Sequence, residues 1–187
     1  MPRIKKLIHG KGVHDLQERS HFFNVWQKML SRCYSRDNYL QKGKWYVSTE
    51  VCEEWLTFSN FKAWMESQDF EGKVLDKDLL GDGTLYSPDT ACFIPQYINV
   101  FIKKPQQNKL LPGVFVKSDQ FRKQPYFSEV TFMGTKYRLG SFSTEQEAHL
   151  AYLAKKVELL KSWLDAQSYT SEVKQKIIKN FERRCYK

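Results

Sequence analysis

The residue types best able to do chemistry fall in two stretches. In the first, Val74 to Asn99, Asp76 and Asp78 flank Lys77 where a short apolar run gives way to a turn containing Gly81 and Gly83. Acids at such a position cap turn amides and solubilise the turn. Lys77 reads as a phosphate contact or an ion-pair partner. As a general base it would need its proton released near neutral pH, whereas an unperturbed lysine holds it to about pH 10.4. Closing that gap takes on the order of 4 kcal/mol of burial or neighbouring positive charge, and the two aspartates act in the opposite direction. In the second stretch, Gly113–Lys117, Tyr126–Phe132 and Thr135–Gly140 alternate as three short antiparallel strands. If Val114, Val116, Ser128, Val130, Tyr137 and Leu139 face a packed helix, then Phe115, Lys117, Phe127, Glu129, Thr131, Lys136 and Arg138 face outward. That outer face is rich in hydrogen-bonding and cationic groups.

Around these stretches the spacing predicts the elements that must hold them. Phe22, Phe23, Trp26, Met29, Leu30 and Cys33 recur at helical intervals behind Ser20, a suitable N-cap. A second short helix, Phe58 to Met65, is expected to be capped by Ser59 or Asn60. Val74 to Asn99 reads as a strand, a glycine turn, a second strand and a helix, with the first core ending near Ile102. Residues 103–112, with Gln106, Gln107 and Asn108 between two prolines, read as a linker. After the third strand, Ser143 as N-cap and Gln146 at the third helical position predict a helix carrying Ala148, Ala151, Tyr152, Lys155 and Leu159. Val173, Ile177, Ile178 and Phe181 predict a last helix, basic and amphipathic, capped by Thr170 or Ser171 and docked by its apolar side. The organisation expected is α+β: an arm at 1–19, a ββα module with preceding helices at 20–102, the linker, a three-stranded sheet packed on one helix at 113–166, and the C-terminal helix at 167–187.

Charge narrows the partners. The chain has 187 residues, 41 % apolar, with a formal net charge of +9. Residues 1–19, including Arg3, Lys5 and Lys6, hold five basic groups against two acidic; residues 168–187 hold six against two. The linker adds Lys103, Lys104 and Lys109. Basic ends and a basic linker suit a polyanion, most simply nucleic acid; they also serve solubility. No apolar run approaches membrane-spanning length and no secretion signal is legible, so an intracellular protein is expected. Cys33, Cys52, Cys92 and Cys185 lack a Cys-x-x-Cys pair, which predicts free thiols over a disulfide framework or a zinc site.

Leu75-Asp76-Lys77-Asp78, the glycine turn, Tyr86-Ser87-Pro88-Asp89-Thr90 and Ile98-Asn99 together resemble the ββα core of phage-type HNH homing endonucleases. The resemblance implies a divalent ion, Mg²⁺ or Mn²⁺, held by Asp76 and Asn99, with Asp78 as a further ligand. It extends to the leader, Arg32-Cys33-Tyr34 and Val51-Cys52-Glu53-Glu54-Trp55. Two positions depart from the pattern: Lys77 stands where the family places its histidine base, and Thr90 where it places an asparagine. The catalytic set Asp76, Lys77 and Asn99 is thus degenerate.

Gly113-Val114, the aromatic start of strand two, Leu139-Gly140-x-Phe142-x-Thr144 and Glu147-Ala148-x-x-Ala151-Tyr152 resemble the ethylene-response-factor (APETALA-type) DNA-binding domain. That resemblance implies a sheet laid in the DNA major groove. Lys136 and Arg138 would meet guanine or phosphate, Glu129 the cytosine amino group, Thr131 or Phe127 a thymine methyl, and Lys117, Lys103, Lys104, Arg3, Lys5 and Lys6 the backbone. Phe115 and Phe127 replace two of the arginines usual on this face. The expected function is binding of double-stranded DNA in the cytoplasm of an infected bacterial cell, with a weakened nuclease motif and no metal required for binding. The rivals are a metal-dependent DNA nickase, and a protein-interaction or inhibitor module that takes a host or phage protein as partner.

Overall fold

A computed structural model describes residues 7–16, 18–35, 48–103, 109–117 and 123–185. Arg3, Lys5, Lys6 and Lys104 lie outside the described residues. The chain forms two compact units, Met1–Asn99 and Val100–Lys187, and its class is α+β as expected.

The first unit begins with α1 (His21–Tyr34), where Ser20 Oγ accepts from Phe23 N at 3.4 Å. Its apolar face, Phe23, Trp26, Met29 and Leu30, is buried. After β1 (Glu50–Val51) comes a single tight turn, Glu53–Leu56, and then α2 (Phe58–Glu66). Trp26 Nε1 donates to the Trp55 carbonyl at 2.7 Å, fastening α1 to that turn, and the rings of Trp26, Phe58, Trp55 and Phe61 fill the space between. Burying each such ring contributes roughly 1.5–3 kcal/mol. The cap of α2 differs from expectation. Thr57 precedes the helix, Ser59 N donates to Asp15 Oδ1, and Asn60 Nδ2 donates to the Glu54 carbonyl. Residues 7–16 are likewise not a free arm. Val13 N donates to the Leu56 carbonyl and its own carbonyl accepts from Phe58 N, while a Cβ on Gly12 would fall 2.3 Å from Leu30.

The hairpin is β2 (Lys73–Asp76) antiparallel to β4 (Cys92–Pro95), with Asp76 opposite Cys92; α3 (Gln96–Ile102) follows directly. Between the glycine turn and β4 the chain forms a further short strand that the sequence reading did not separate, β3 (Leu85–Tyr86), paired in parallel with β1. The reason is a second turn at Ser87–Thr90. Thr90 Oγ1 accepts from Ser87 N and donates to the Leu85 carbonyl at 2.7 Å, reversing the chain before the apolar run Phe93-Ile94 reaches Val74 and Leu75.

The second unit is a sheet in the order β5 (Val114–Val116), β6 (Tyr126–Phe132), β7 (Thr135–Phe142), packed on α4 (Glu145–Asp165), with α5 (Ser171–Cys185) following. Thr144, one residue later than expected, caps α4, with Glu147 closing the capping box on Ser143 N and Thr144 N at 3.2 Å. A carboxylate accepts from amides at a helix start better than the Gln146 amide would. The end of the linker is held too, since Leu111 N donates to Glu145 Oε1 and His149 Nδ1 donates to the Pro112 carbonyl at 2.8 Å. Thr170 Oγ1 accepts from Val173 N at the start of α5, whose Ile177 and Phe181 are buried as expected. No helix among the described residues is long and apolar enough to cross a membrane.

Two side-chain positions control this unit. Gly113 has φ +77°, and a Cβ there would lie 2.1 Å from the Tyr152 ring. Gly113→Ala is therefore predicted to destabilise the unit by about 3 kcal/mol, combining left-handed strain with a ring clash; thermal unfolding measures it. Lys156, on α4, is 4 % exposed, and burial pushes its ammonium down to about 8 despite the rings of Phe101, Tyr152 and Phe181 around it. Below pH 8 both folded and unfolded chains carry this proton, and the fold bears the full burial cost. Between about 8 and the unfolded value of 10.5 only the unfolded chain carries it, so stability rises. Lys156→Met is predicted to raise stability by on the order of 1–2 kcal/mol near pH 7, with the advantage shrinking as unfolding is measured at pH values rising past 8.

Candidate nucleic-acid interface

At the end of β2, Asp76 is buried and its Oδ1 accepts from Asp78 N at 2.9 Å and Leu79 N at 2.7 Å. A carboxylate taking two successive amides is a turn cap. Lys77 is 7 % exposed; its Nζ donates to Asp78 Oδ1 at 2.7 Å and lies 5.7 Å from the centre of the Tyr86 ring. Gly83, at φ +89°, makes room for this pair, since a Cβ there would sit 2.6 Å from Asp78 Oδ1. Arg32 reaches the same ring from α1, with Nη1 donating to the Tyr86 hydroxyl at 3.4 Å.

The thiols report the same surroundings. Burial pushes Cys33 up to about 12 against the positive charge of Lys77 and Arg32. Burial, and then the nearby Asp76 carboxylate, push Cys92 up as well. All four cysteines are free.

The sequence therefore brings Asp76, Lys77 and Asp78 together, but as an internal ion pair beside a capped turn. Asn99 is half-buried on α3, and its side chain hydrogen-bonds to no described residue. Among the described residues no three His, Cys, Asp or Glu side chains converge. Mg²⁺ or Mn²⁺ asks for carboxylate oxygens open to the ion. Here Asp76 Oδ1 serves two amides and Asp78 Oδ1 serves an ammonium, so an ion on those two oxygens would compete with the turn amides and with Lys77.

The outer face of the second unit's sheet is built by register. Phe115 pairs with Phe127, Glu129 with Arg138 and Thr131 with Lys136, and paired side chains project on one side. Ser128, Val130 and Phe132 are buried on the other side. Val116 shares their register yet is 48 % exposed, where the sequence had it facing the helix. The Phe115 and Phe127 rings stack with centres 5.2 Å apart. Lys136 Nζ makes an ion pair with Glu129 at 2.8 Å, so the Glu129 carboxylate already holds a cation. The Arg138 side chain is exposed and makes no hydrogen bond or ion pair with a described residue. Lys117 Nζ donates to Ser141 Oγ at 2.6 Å, at the wall of a hollow of about 510 Å³ lined also by Lys123, Gln124 and Ser143. Lys103 is exposed at the end of α3.

Sequence reasoning missed Lys123, Gln124, Ser141 and Ser143. Strict alternation from Arg138 turns Ser141 inward, but β7 carries one extra residue, Leu139, opposite the Ser128–Glu129 step, and Gly140 takes it up at φ +115°. The bulge rotates Ser141 outward beside Phe127. The glycine in Leu139-Gly140 was the available signal.

Charge separates the units. Residues 100–187 hold 17 Lys and Arg against 8 Asp and Glu, and residues 1–99 hold 13 of each, so the whole excess of +9 belongs to the second unit. The basic groups of residues 1–19 are balanced within the first.

Comparison of the chain with protein-family models, curated proteins and solved structures returns no match. Residue geometry alone thus bears on function. For the hairpin it predicts that Asp76→Ala, which strips two amides of their acceptor, lowers stability by about 3 kcal/mol. Thermal unfolding should register that loss equally with and without Mg²⁺.

Proposed function

We propose that this chain binds double-stranded DNA, that it is of the phage HNH homing-endonuclease type with a non-cleaving ββα module, and that its ethylene-response-factor-like sheet reads the duplex. The observation that carries the reading is the uncovered outer face of β5–β7, with Arg138 unpaired within the described residues, in the unit that holds all the excess positive charge. Arg138 is the side chain best placed to take guanine O6 and N7, a contact that discriminates bases by about 1–3 kcal/mol. Lys117 and the hydroxyls of Ser141 and Ser143 suit the phosphate backbone, which positions the protein without reading sequence. Lys136 serves as a phosphate contact that shares Glu129. The cleavage half is absent from this reading because the position of the base is occupied by a lysine paired with Asp78.

A second reading, a protein-interaction face, is favoured by one feature, the partly exposed stack of Phe115 on Phe127. Anisotropy with labelled duplex between about 50 and 200 mM salt separates the two. DNA binding predicts affinity falling steeply with salt, at a slope of roughly −0.9 per phosphate contacted, and a tenfold or larger loss in the double variant Lys136→Ala, Arg138→Ala. A flat salt response would exclude it. The same protein incubated with supercoiled plasmid and Mg²⁺ or Mn²⁺ is expected to leave it intact; nicking that Asp76→Ala abolishes would replace this reading with a nickase.

A further inference from the structure

The outer face of β5–β7 carries a feature that the proposed duplex contacts do not use. Phe115 and Phe127 are cross-strand partners, and their rings stack with centres 5.2 Å apart and planes inclined by 23°. That spacing is about the separation of two directly opposed side chains, so the rings stand side by side on the sheet with their flat faces turned across the strands. Each ring covers one face of the other. β5 is the outermost strand, so no strand lies beyond the second face of Phe115, and 43 % of that residue is exposed.

The surroundings of the stack are polar and cationic. Lys117 follows Phe115 by two residues, about 7 Å along the strand. Its Nζ crosses to Ser141 Oγ at 2.6 Å, and Ser141 is the β7 partner of Phe127. The hollow that Lys117 and Ser141 line with Lys123, Gln124 and Ser143 therefore begins one side-chain row from the stack. Lys123 is exposed and makes no hydrogen bond or ion pair with a described residue. On the other side of the stack stand Arg138 and Glu129, the latter already holding Lys136.

An aromatic surface beside a cationic hollow restricts what can bind. A phenyl ring has no donor or acceptor with which to read the base edges that a duplex presents in its grooves. The flat faces of paired bases are covered by their stacked neighbours. They open only where a strand is unpaired, and there stacking on aromatic side chains supplies affinity while cations follow the phosphates. An apolar protein partner would cover the rings and leave Lys117, Lys123 and Arg138 unmatched, whereas a nucleotide brings a flat base and an anion together.

We propose that this face binds single-stranded DNA, with an unpaired base on the open side of Phe115 and the adjoining phosphate in the hollow, accepting from Lys117, Lys123 and the hydroxyls of Ser141 and Ser143. The choice of DNA over RNA rests on the DNA-binding reading above; the preference for an unpaired strand does not.

The test is fluorescence anisotropy of the full chain with a labelled short oligothymidylate, an abasic strand of equal length, an oligouridylate and a duplex. The wild-type chain is expected to bind the oligothymidylate about tenfold more tightly than the abasic strand, which has the same phosphates and no bases. Phe115→Leu should narrow that gap, and Phe115→Leu with Phe127→Leu should close it while leaving the affinity for the abasic strand unchanged. Lys117→Ala with Lys123→Ala should weaken both strands alike. Equal binding of the two strands by the wild-type chain, a comparison free of variant folding, would overturn the proposal, as would a gap that survives in the double leucine variant. An oligouridylate bound as tightly as the oligothymidylate would overturn the choice of DNA. A duplex bound with a steep salt response, beside an oligothymidylate no better than the abasic strand, removes this proposal and leaves the duplex reading. A flat duplex response beside a preference for oligothymidylate removes the duplex reading and leaves this one.

Discussion

The close approach of Gly113 to the Tyr152 ring is the constraint on which the second unit rests. Only a residue without a side chain lets the backbone lie on the ring, and only there does its carbonyl meet Ser128 Oγ at 3.0 Å and Glu129 N at 3.2 Å. One glycine thereby ties β5 to β6 and the sheet to α4. The same ring stacks on His149 and lines the wall around Lys156. A disturbance at Gly113 would reach the sheet's orientation and the buried lysine together.

The first unit depends on a different economy of charge. The hairpin ends in two acids that are met differently: Asp76 accepts from the turn amides, and the buried Lys77, beside Tyr86 and under the turn that Gly83 opens, pairs with Asp78. The Lys77 ammonium stabilises this turn by holding Asp78. In the proposed reading it also stands at the position of the family's base, which is why that reading assigns the ββα module no cleavage.

Much of this was legible from residue spacing. The α1 face with its Ser20 cap, the three antiparallel strands, the alternation that turns Lys136 and Arg138 outward, and the docked α5 all follow from periods of 3.6 and 2. Three features were not, each for a nonlocal or competing reason. The parallel pairing of Leu85–Tyr86 with Glu50–Val51 joins residues far apart in sequence, and no local pattern encodes it. Residues 7–16 look like an arm because their partners, the Leu56 carbonyl and the Trp26 and Leu30 side chains, belong to other elements. The capping box fell on Thr144 and Glu147 because two neighbouring hydroxyls competed and the carboxylate decided between them. As for the candidate interface, the cationic members were legible, and the hydroxyl wall at Ser141 was hidden by one bulged residue.

The uneven sharing of charge also bears on how the molecule meets others. Under the proposed DNA-binding reading, long-range attraction to a duplex acts on the 100–187 unit more than on the 1–99 unit, because it follows net charge. In that reading the salt sensitivity of the encounter is set mainly by one unit.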